Sequence, residues 1–290
     1  MGKWFLFFLL VSMNTFGQSH SAIPLRQLAK KNHNKTNLTK YLNTKSWNKL
    51  FPNRYGVGLK DSDDIDPFFY SFDAFVSAAK LFPDFLNGKT KELQKKELAA
   101  FLANISQETS GGEDAAPDDY FKWGLYFLEE NVQHFNYIDT ASKRYPGVAG
   151  KYYFGRGPCQ LSWNYNYGQF SEAWYGSKDT LLQYPELLSK DPVLSFASAI
   201  WFWMTAQNPK PSCHDIIVGK WIPTPTDIEK GRLPGFATTL NVINGGLECG
   251  KGYDFAKSQN RYGYYIHFCS YFKISPGDNI SCSNQKPFGQ

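Results

Sequence analysis

The run VLSFASAIWFWMTA, residues 193–206, constrains the fold more than any other stretch of this chain. Asp191-Pro192 opens it with a capping side chain and a proline suited to the first helical position. A helix that is apolar nearly all round cannot lie on a surface, so this one is expected at the buried centre of a helical domain. Its neighbours read the same way. Ser71 caps a helix with Phe72, Phe75, Val76, Ala79 and Leu81 on its apolar face. Leu98, Phe101, Leu102 and Ile105 form the i, i+3, i+4, i+7 stripe of a second helix, from about Lys91 to Glu108. FATTLNVINGG, residues 236–246, reads as a helix ended by its glycine pair, and a last helix runs from about Asp254 to Tyr271. Strand signals are few and short, no repeat is visible, and no interdomain linker follows residue 61. One mostly helical domain is expected, and 290 residues suffice for a sizeable core.

Glu108 continues the apolar stripe of the second helix just before Gly111-Gly112, so it carries a carboxylate on the buried face at a helix end. Glu130 follows another aromatic run, Tyr120-Phe121 and Trp123–Leu128. Taken alone, each Glu is most simply a solvated group, and Glu129-Glu130 an ordinary charged face. As a pair in apolar surroundings they have the makings of one acid and one base. KYYFGRGPCQLSWNYNYG, residues 151–168, contains neither phosphate-binding glycine pattern. Its mixture of rings and amides suits sugars, whose C–H faces cover aromatics and whose hydroxyls bond amides. The competing reading is a β-hairpin that packs the same rings into the core. Asn131–Gly150 is a long irregular stretch, of a length that is usually functional or disordered.

The formal net charge of +5 hides an asymmetry. Residues 1–60 hold ten Lys and Arg and no Asp or Glu, while the remainder carries a net charge of −5. Lys3, the apolar run Trp4–Met13 and Thr15-Phe16-Gly17 compose a signal peptide over 1–17, too short to span a bilayer. Residues 18–37 read as a basic flexible arm, and 38–290 as the folded domain. The arm could touch an anionic cell-wall polysaccharide; an acidic exported body makes nucleic acid a poor partner, and no membrane anchor is expected. Secretion, extracellular or periplasmic, follows. Five cysteines permit one or two disulfides. Cys213-His214-Asp215 is the one cluster with metal-ligand chemistry, but adjacent residues rarely converge on one ion, so no metal is expected.

FLANISQETSGG, WGLYFLEEN, YYFGRGPCQLSWNYNYG, DPVLSFASAIWFWM, KPSCHD and NVINGGLECGKG occur in this order. Together they resemble the catalytic domain of family 19 glycoside hydrolases, the plant-type chitinases, from about Leu38 to the C-terminus. The resemblance implies a mainly α, lysozyme-like, two-lobed domain with a few short strands and a substrate cleft for chitin. It implies inverting hydrolysis of β-1,4 bonds between N-acetylglucosamine units, without cofactor or metal; nothing in the sequence suggests an obligate oligomer, so a monomer is expected. Glu108 matches the general acid, Glu130 the base that activates water, and Ser162 a serine that helps hold that water. Ser110, Gln160, Tyr165, Asn166 and Asn244 match substrate-contacting positions. Glu248 and Arg261 match a charged pair that orients the base, with one residue inserted between Cys249 and Arg261. Cys249 and Cys282 match the family disulfide. Gln107 stands where the family usually has His, Tyr126 where it has Cys, and Cys159 where an apolar residue is usual. Two other readings stay open: a peptidoglycan-degrading enzyme of the same fold, and a chitin-binding relative without turnover.

Overall fold

The computed structural model describes residues 23–31, 35–54, 68–112, 119–130, 135–252 and 256–289. The proposed signal peptide, the first four residues of the irregular stretch 131–150 and the expected start of the last helix at Asp254 lie outside these residues. In chain order the helices are α1 (Leu25–Lys31), α2 (Thr44–Leu50), α3 (Phe72–Ala79), α4 (Lys91–Glu108), α5 (Asn164–Tyr175) and α6 (Asp179–Gln183). They continue with α7 (Pro192–Met204), α8 (Cys213–Ile217), α9 (Pro225–Glu229), α10 (Phe236–Glu248) and α11 (Ala256–Phe272). Among the described residues, β-structure is confined to isolated bridges such as Glu129 with Arg156 and Arg156 with Leu161. The chain is mainly α, as the apolar periodicity requires.

Capping accounts for the sharp helix starts. Asp191 accepts hydrogen bonds from the Val193 and Leu194 amides, with Pro192 at N1, and α7 is buried from Leu194 to Trp201. Ser71 caps α3 and Thr90 caps α4 through the same acceptor chemistry. Phe75 of α3 lies between Phe101 of α4, with ring centroids 5.7 Å apart, and Phe196 of α7, at 5.0 Å. Trp203 meets Phe101 edge-on at 5.6 Å. These rings fill the centre of the core, and α11 packs along α4 on its other side. Each ring buries a large apolar area, so this cluster is the main reason the three helices keep one arrangement.

Two sequence expectations change, and a third cluster finds a structural role. Residues 25–31 of the basic arm form α1, whose Leu25 and Leu28 pack on the core and whose Arg26 lies over the Tyr175 ring at 5.5 Å. The arm therefore docks in part, because two leucines and an arginine stem find an apolar and aromatic face on α5. α10 does not end at Gly245-Gly246 but runs to Glu248, with a kink at Asn244 (φ −141°, ψ 30°). The Cys213-His214-Asp215 cluster is structural: His214 Nδ1 lies 2.7 Å from Oε1 of the fully buried Glu97, which also accepts from Trp203 Nε1 at 3.1 Å. The Leu86 amide donates to the other Glu97 oxygen at 3.1 Å. A buried carboxylate persists only with such partners, and these tie α4, α7 and α8 together. Cys249 and Cys282 form the disulfide, closing the chain behind α10.

Candidate active site

The last turn of α4 carries Glu108, and the chain must then turn sharply to bring residues 120–130 back beside it. Thr109, fully buried, makes that turn. Its Oγ1 donates to the Ile105 carbonyl at 2.6 Å and accepts the Leu125 amide at 2.8 Å. Its carbonyl accepts the amides of Tyr126 and Phe127. Gly111 allows the close approach this requires, since a Cβ there would sit 2.0 Å from the Tyr126 ring. Gly111→Ala is expected to lower the melting temperature, with a cost of about 1–3 kcal/mol for overpacking. Adding Tyr126→Ala should restore much of it; a destabilisation that the second substitution leaves untouched would place the cause elsewhere.

Glu130 is held by a different route. Its amide donates to the Gly155 carbonyl at 2.8 Å, and the Gly155 amide returns to Glu130 Oε2 at 3.1 Å. The Tyr137 hydroxyl donates to Oε1 at 2.6 Å. Glu129 points the other way, to Arg156 Nε at 3.1 Å and the Ser189 hydroxyl at 2.6 Å. The two glutamates are thus not a shared charged face. One anchors the 128–130 segment to the loop before α5, and the other faces the cleft.

The cleft has a volume of about 510 Å³ and holds both Glu108 and Glu130. Gln160, Ser162, Trp163, Tyr165 and Asn166 line one side, from the loop 155–163 and the start of α5. Val242, Asn244 and Leu247 of α10 and Lys257 of α11 line another, with Phe202, Thr205, Gln207 and Lys210 beside them. Of the candidate residues named from the sequence, Glu108, Glu130, Gln160, Ser162, Tyr165, Asn166 and Asn244 meet here. Ser162 donates to the Gln160 carbonyl at 2.9 Å, and Asn166 Nδ2 donates to the Ser162 carbonyl at 2.8 Å. Asn166 is 8% exposed, and among the described residues its Oδ1 has no hydrogen-bond partner. A buried acceptor left open beside a cleft is suited to a donor that arrives with a ligand.

Three candidates are not among the lining residues. Ser110 does not line the cleft: its hydroxyl lies 3.1 Å from the Tyr264 hydroxyl and accepts the Gly112 amide at 3.3 Å. It fixes the turn after Glu108 to α11. Glu248 and Arg261, expected to orient Glu130, do form a charged pair, and its direct hydrogen bonds run to the other glutamate. Arg261, 1% exposed, donates from Nη2 to Glu108 Oε1 at 2.6 Å and to Glu248 Oε1 at 2.6 Å, and from Nε to Glu248 Oε2 at 3.0 Å. Its Nη1 reaches Asn104 Oδ1 at 3.2 Å. α11 packs along α4, so an arginine on its inner face meets the carboxylate at the end of α4, while Glu130 is held by Tyr137 and Gly155.

One guanidinium shared by two carboxylates separates their acidities. Burial pushes Glu248 up, but the Arg261 charge, its two hydrogen bonds and one from Asn244 Nδ2 (2.9 Å) outweigh that and hold it below the usual value. At Glu108 burial wins: with the negative charge of Glu248 added, it leaves the carboxyl above its usual value despite Arg261. Glu248 is therefore ionised and Glu108 is the group inclined to keep a proton. Cys159, in the cleft wall, stays a thiol because burial and Glu108 both raise its pKa.

Tyr137 as partner of Glu130, and Lys257, Gln207 and Lys210 as cleft residues, were not assigned from sequence. Tyr137 had a signal, an aromatic in a long irregular stretch seven residues after Glu130. The others had none, because a solitary Lys or Gln reads as surface.

The family model described as chitinase class I, glycoside hydrolase family 19, matches residues 59–282. Endochitinase A2 of Pisum sativum is 51% identical over 221 residues, 76% of this chain and 66% of that protein. An endochitinase of Carica papaya is 49% identical over 221 residues, 76% of this chain and 89% of its own length. A protein of Hevea brasiliensis named inactive chitinase-like protein 1 is 50% identical over 221 residues, 76% of this chain and 69% of its length. Chitinase C of Streptomyces griseus HUT6037 superposes with a TM-score of 0.63 at 30% identity, covering 83% of this chain and 97% of that one. A class IV family 19 chitinase of Zea mays does so at 0.60 and 30%, covering 84% and 98%. The helical architecture is thus the lysozyme-like one of these enzymes, and the chain belongs to the chitinase class I family of glycoside hydrolases, family 19.

Proposed function

We propose that this protein is an endochitinase that hydrolyses β-1,4 bonds between N-acetylglucosamine units with inversion at the anomeric carbon. The observation that carries the reading is the opposed environment of two glutamates in one cleft. Glu108, buried and with its pKa raised, holds a proton for the leaving oxygen. Glu130 accepts hydrogen bonds from Tyr137 and Gly155, which aim its carboxylate as a general base. In an inverting reaction the base deprotonates water as it attacks the anomeric carbon. The leaving oxygen takes the proton of the acid in the same step. Ser162 and Asn166, fastened to each other through the Ser162 carbonyl, supply polar groups for that water and for the acetamido substituent.

Overall similarity does not decide turnover, because the inactive-named relative is as similar as the endochitinases. What favours turnover here is that both carboxylates and the supports of each are in place. Gln107 accepts from the Tyr120 hydroxyl at 3.4 Å and so keeps the segment after Glu108 tethered. Secretion is part of the proposal and rests on the first seventeen residues. Among the described residues no helix is long and apolar enough to cross a membrane.

Proton NMR of fresh products from an N-acetylglucosamine hexamer tests the mechanism. The α-anomer is expected to appear first. First appearance of the β-anomer would remove the inverting assignment, and an intact hexamer would remove the endochitinase.

A further inference from the structure

The cleft contains a cation that the hydrolytic chemistry leaves unused. Lys257, on the first turn of α11, lines the same cleft as Glu108 and Glu130 and is exposed. Among the described residues its ammonium has no hydrogen-bond or ion-pair partner. The other two cations of this region are committed. Arg261 is divided between Glu108 and Glu248, and Lys210 Nζ donates to the Val242 carbonyl at 2.8 Å.

The form ready for catalysis leaves the cleft with an uneven charge. Glu108 is then protonated, and Glu248 is neutralised by Arg261. Glu130 is the one carboxylate charge left facing the two ammoniums of Lys210 and Lys257 among the groups that line the cleft. The working cleft is cationic on balance, and Lys257 is the exposed part of that charge, without a hydrogen-bond or ion-pair partner among the described residues. Chitin is neutral, because each nitrogen is acetylated. A unit that has lost its acetyl group carries an ammonium instead.

We infer that Lys257 is a specificity-determining residue that rejects glucosaminium units next to the bond being cleaved and so restricts the enzyme to acetylated chain. The inference rests on the proposed chitin-hydrolysing reading and deepens it. Discrimination of this kind works by repulsion rather than by added contacts to the preferred substrate. Low-dielectric walls strengthen it, and salt weakens it where the lysine meets solvent. The remote part of a neutral chain is indifferent to Lys257, whereas a cationic unit beside Glu108 pays a Coulomb penalty.

The same ammonium acts on the acid. Four groups bear on the Glu108 carboxyl: Arg261 and Lys257 from α11, Glu248 from α10 and Cys159 from the loop before α5. Lys257 lowers the Glu108 pKa, against the larger effect of burial. Removing it leaves Glu108 protonated to higher pH, so the alkaline limb of kcat/KM moves upward. A side chain that merely supported the helix start would lower activity without moving that limb.

The test compares wild type, Lys257→Met and Lys257→Arg on an N-acetylglucosamine hexamer and on partly deacetylated chitosan, below the pKa of the substrate amine. Sequencing of the new chain ends follows. Wild type is expected to cut between acetylated units. In Lys257→Met the ratio of kcat/KM on chitosan to that on the acetylated hexamer should rise about 3–10-fold, the effect of removing one partly screened charge. Lys257→Arg should restore the wild-type ratio, and added salt should shrink the difference. Equal ratios and equal end sequences in wild type and Lys257→Met overturn the inference. If wild type leaves the acetylated hexamer intact, the proposed function fails instead. Calorimetric affinities of glucosamine and N-acetylglucosamine hexamers then decide Lys257, a gain confined to the cationic ligand in Lys257→Met supporting it and no change refuting it.

Discussion

Glu108→Gln is expected to lower kcat on an N-acetylglucosamine hexamer by about 10²–10⁴-fold, the usual contribution of a positioned general acid. Substrate affinity should stay within a few-fold, because the amide keeps the size and the hydrogen-bond acceptor of the side chain. Nη2 of Arg261 still has an oxygen to bond, and Glu248 still neutralises the guanidinium. Stability should not fall with activity. The folded carboxyl sits above its ordinary value of 4.5, so ionising it costs more in the folded chain than in the unfolded one. That cost is absent at low pH and is felt once the pH rises past 4.5 and the unfolded state ionises first. Glutamine removes it, so the melting temperature at neutral pH is expected to equal or exceed that of wild type. Steady-state kinetics and a thermal melt on one preparation check both halves. A variant with near wild-type kcat would mean that another group protonates the leaving oxygen. A variant that is both inactive and unstable would mean that Glu108 is held for the fold.

Local signals made much of this arrangement legible. Asp191-Pro192 marked the start of α7, and the stripe Leu98, Phe101, Leu102, Ile105 carried Glu108 to the end of α4, where the structure puts it. What stayed hidden was non-local. α5 begins at Asn164 after Trp163, which has φ 75° and offers no capping side chain, so nothing in the sequence announces a helix there. Gly168 within it looks like a break. It is instead where the Tyr145 ring crosses the helix, 2.5 Å from where a Cβ would be. The glycine pair 245–246 misled in the same way, since α10 passes through it. The placing of Arg261 beside Glu108 rather than Glu130 depends on which face of α11 meets α4. Residues 153 positions apart in sequence give no periodic hint of that.

Arg261→Met is the substitution expected to damage the folded state most. Arg261 is 1% exposed and serves two carboxylates, Asn104 and three helices at once. Methionine fills much of the volume but leaves Glu248, itself 1% exposed, without its hydrogen-bonded counter-charge. Breaking a buried pair from one side costs about 3–5 kcal/mol, enough to unfold many domains. The pH dependence carries the cause. In wild type Glu248 lies below its ordinary 4.5, so its ion pair contributes fully above that value and is lost as the pH falls through the folded pKa. In Arg261→Met the sign reverses: an unpaired buried carboxylate is raised, and the variant should be least unfavourable relative to wild type in acid. Glu248→Gln separates this from catalysis. It leaves Arg261 with Glu108 alone, so the acid loses a repelling neighbour and gains the whole guanidinium. Its pKa then falls, and the alkaline limb of kcat/KM should move to lower pH in a protein that still folds. Placing Glu248→Gln in the Arg261→Met background should recover part of the lost stability, because the charge that had no partner is gone. Additive losses in that double variant would show that the arginine acts by packing. A limb that stays put in Glu248→Gln would show that the shared guanidinium does not set the acidity of Glu108.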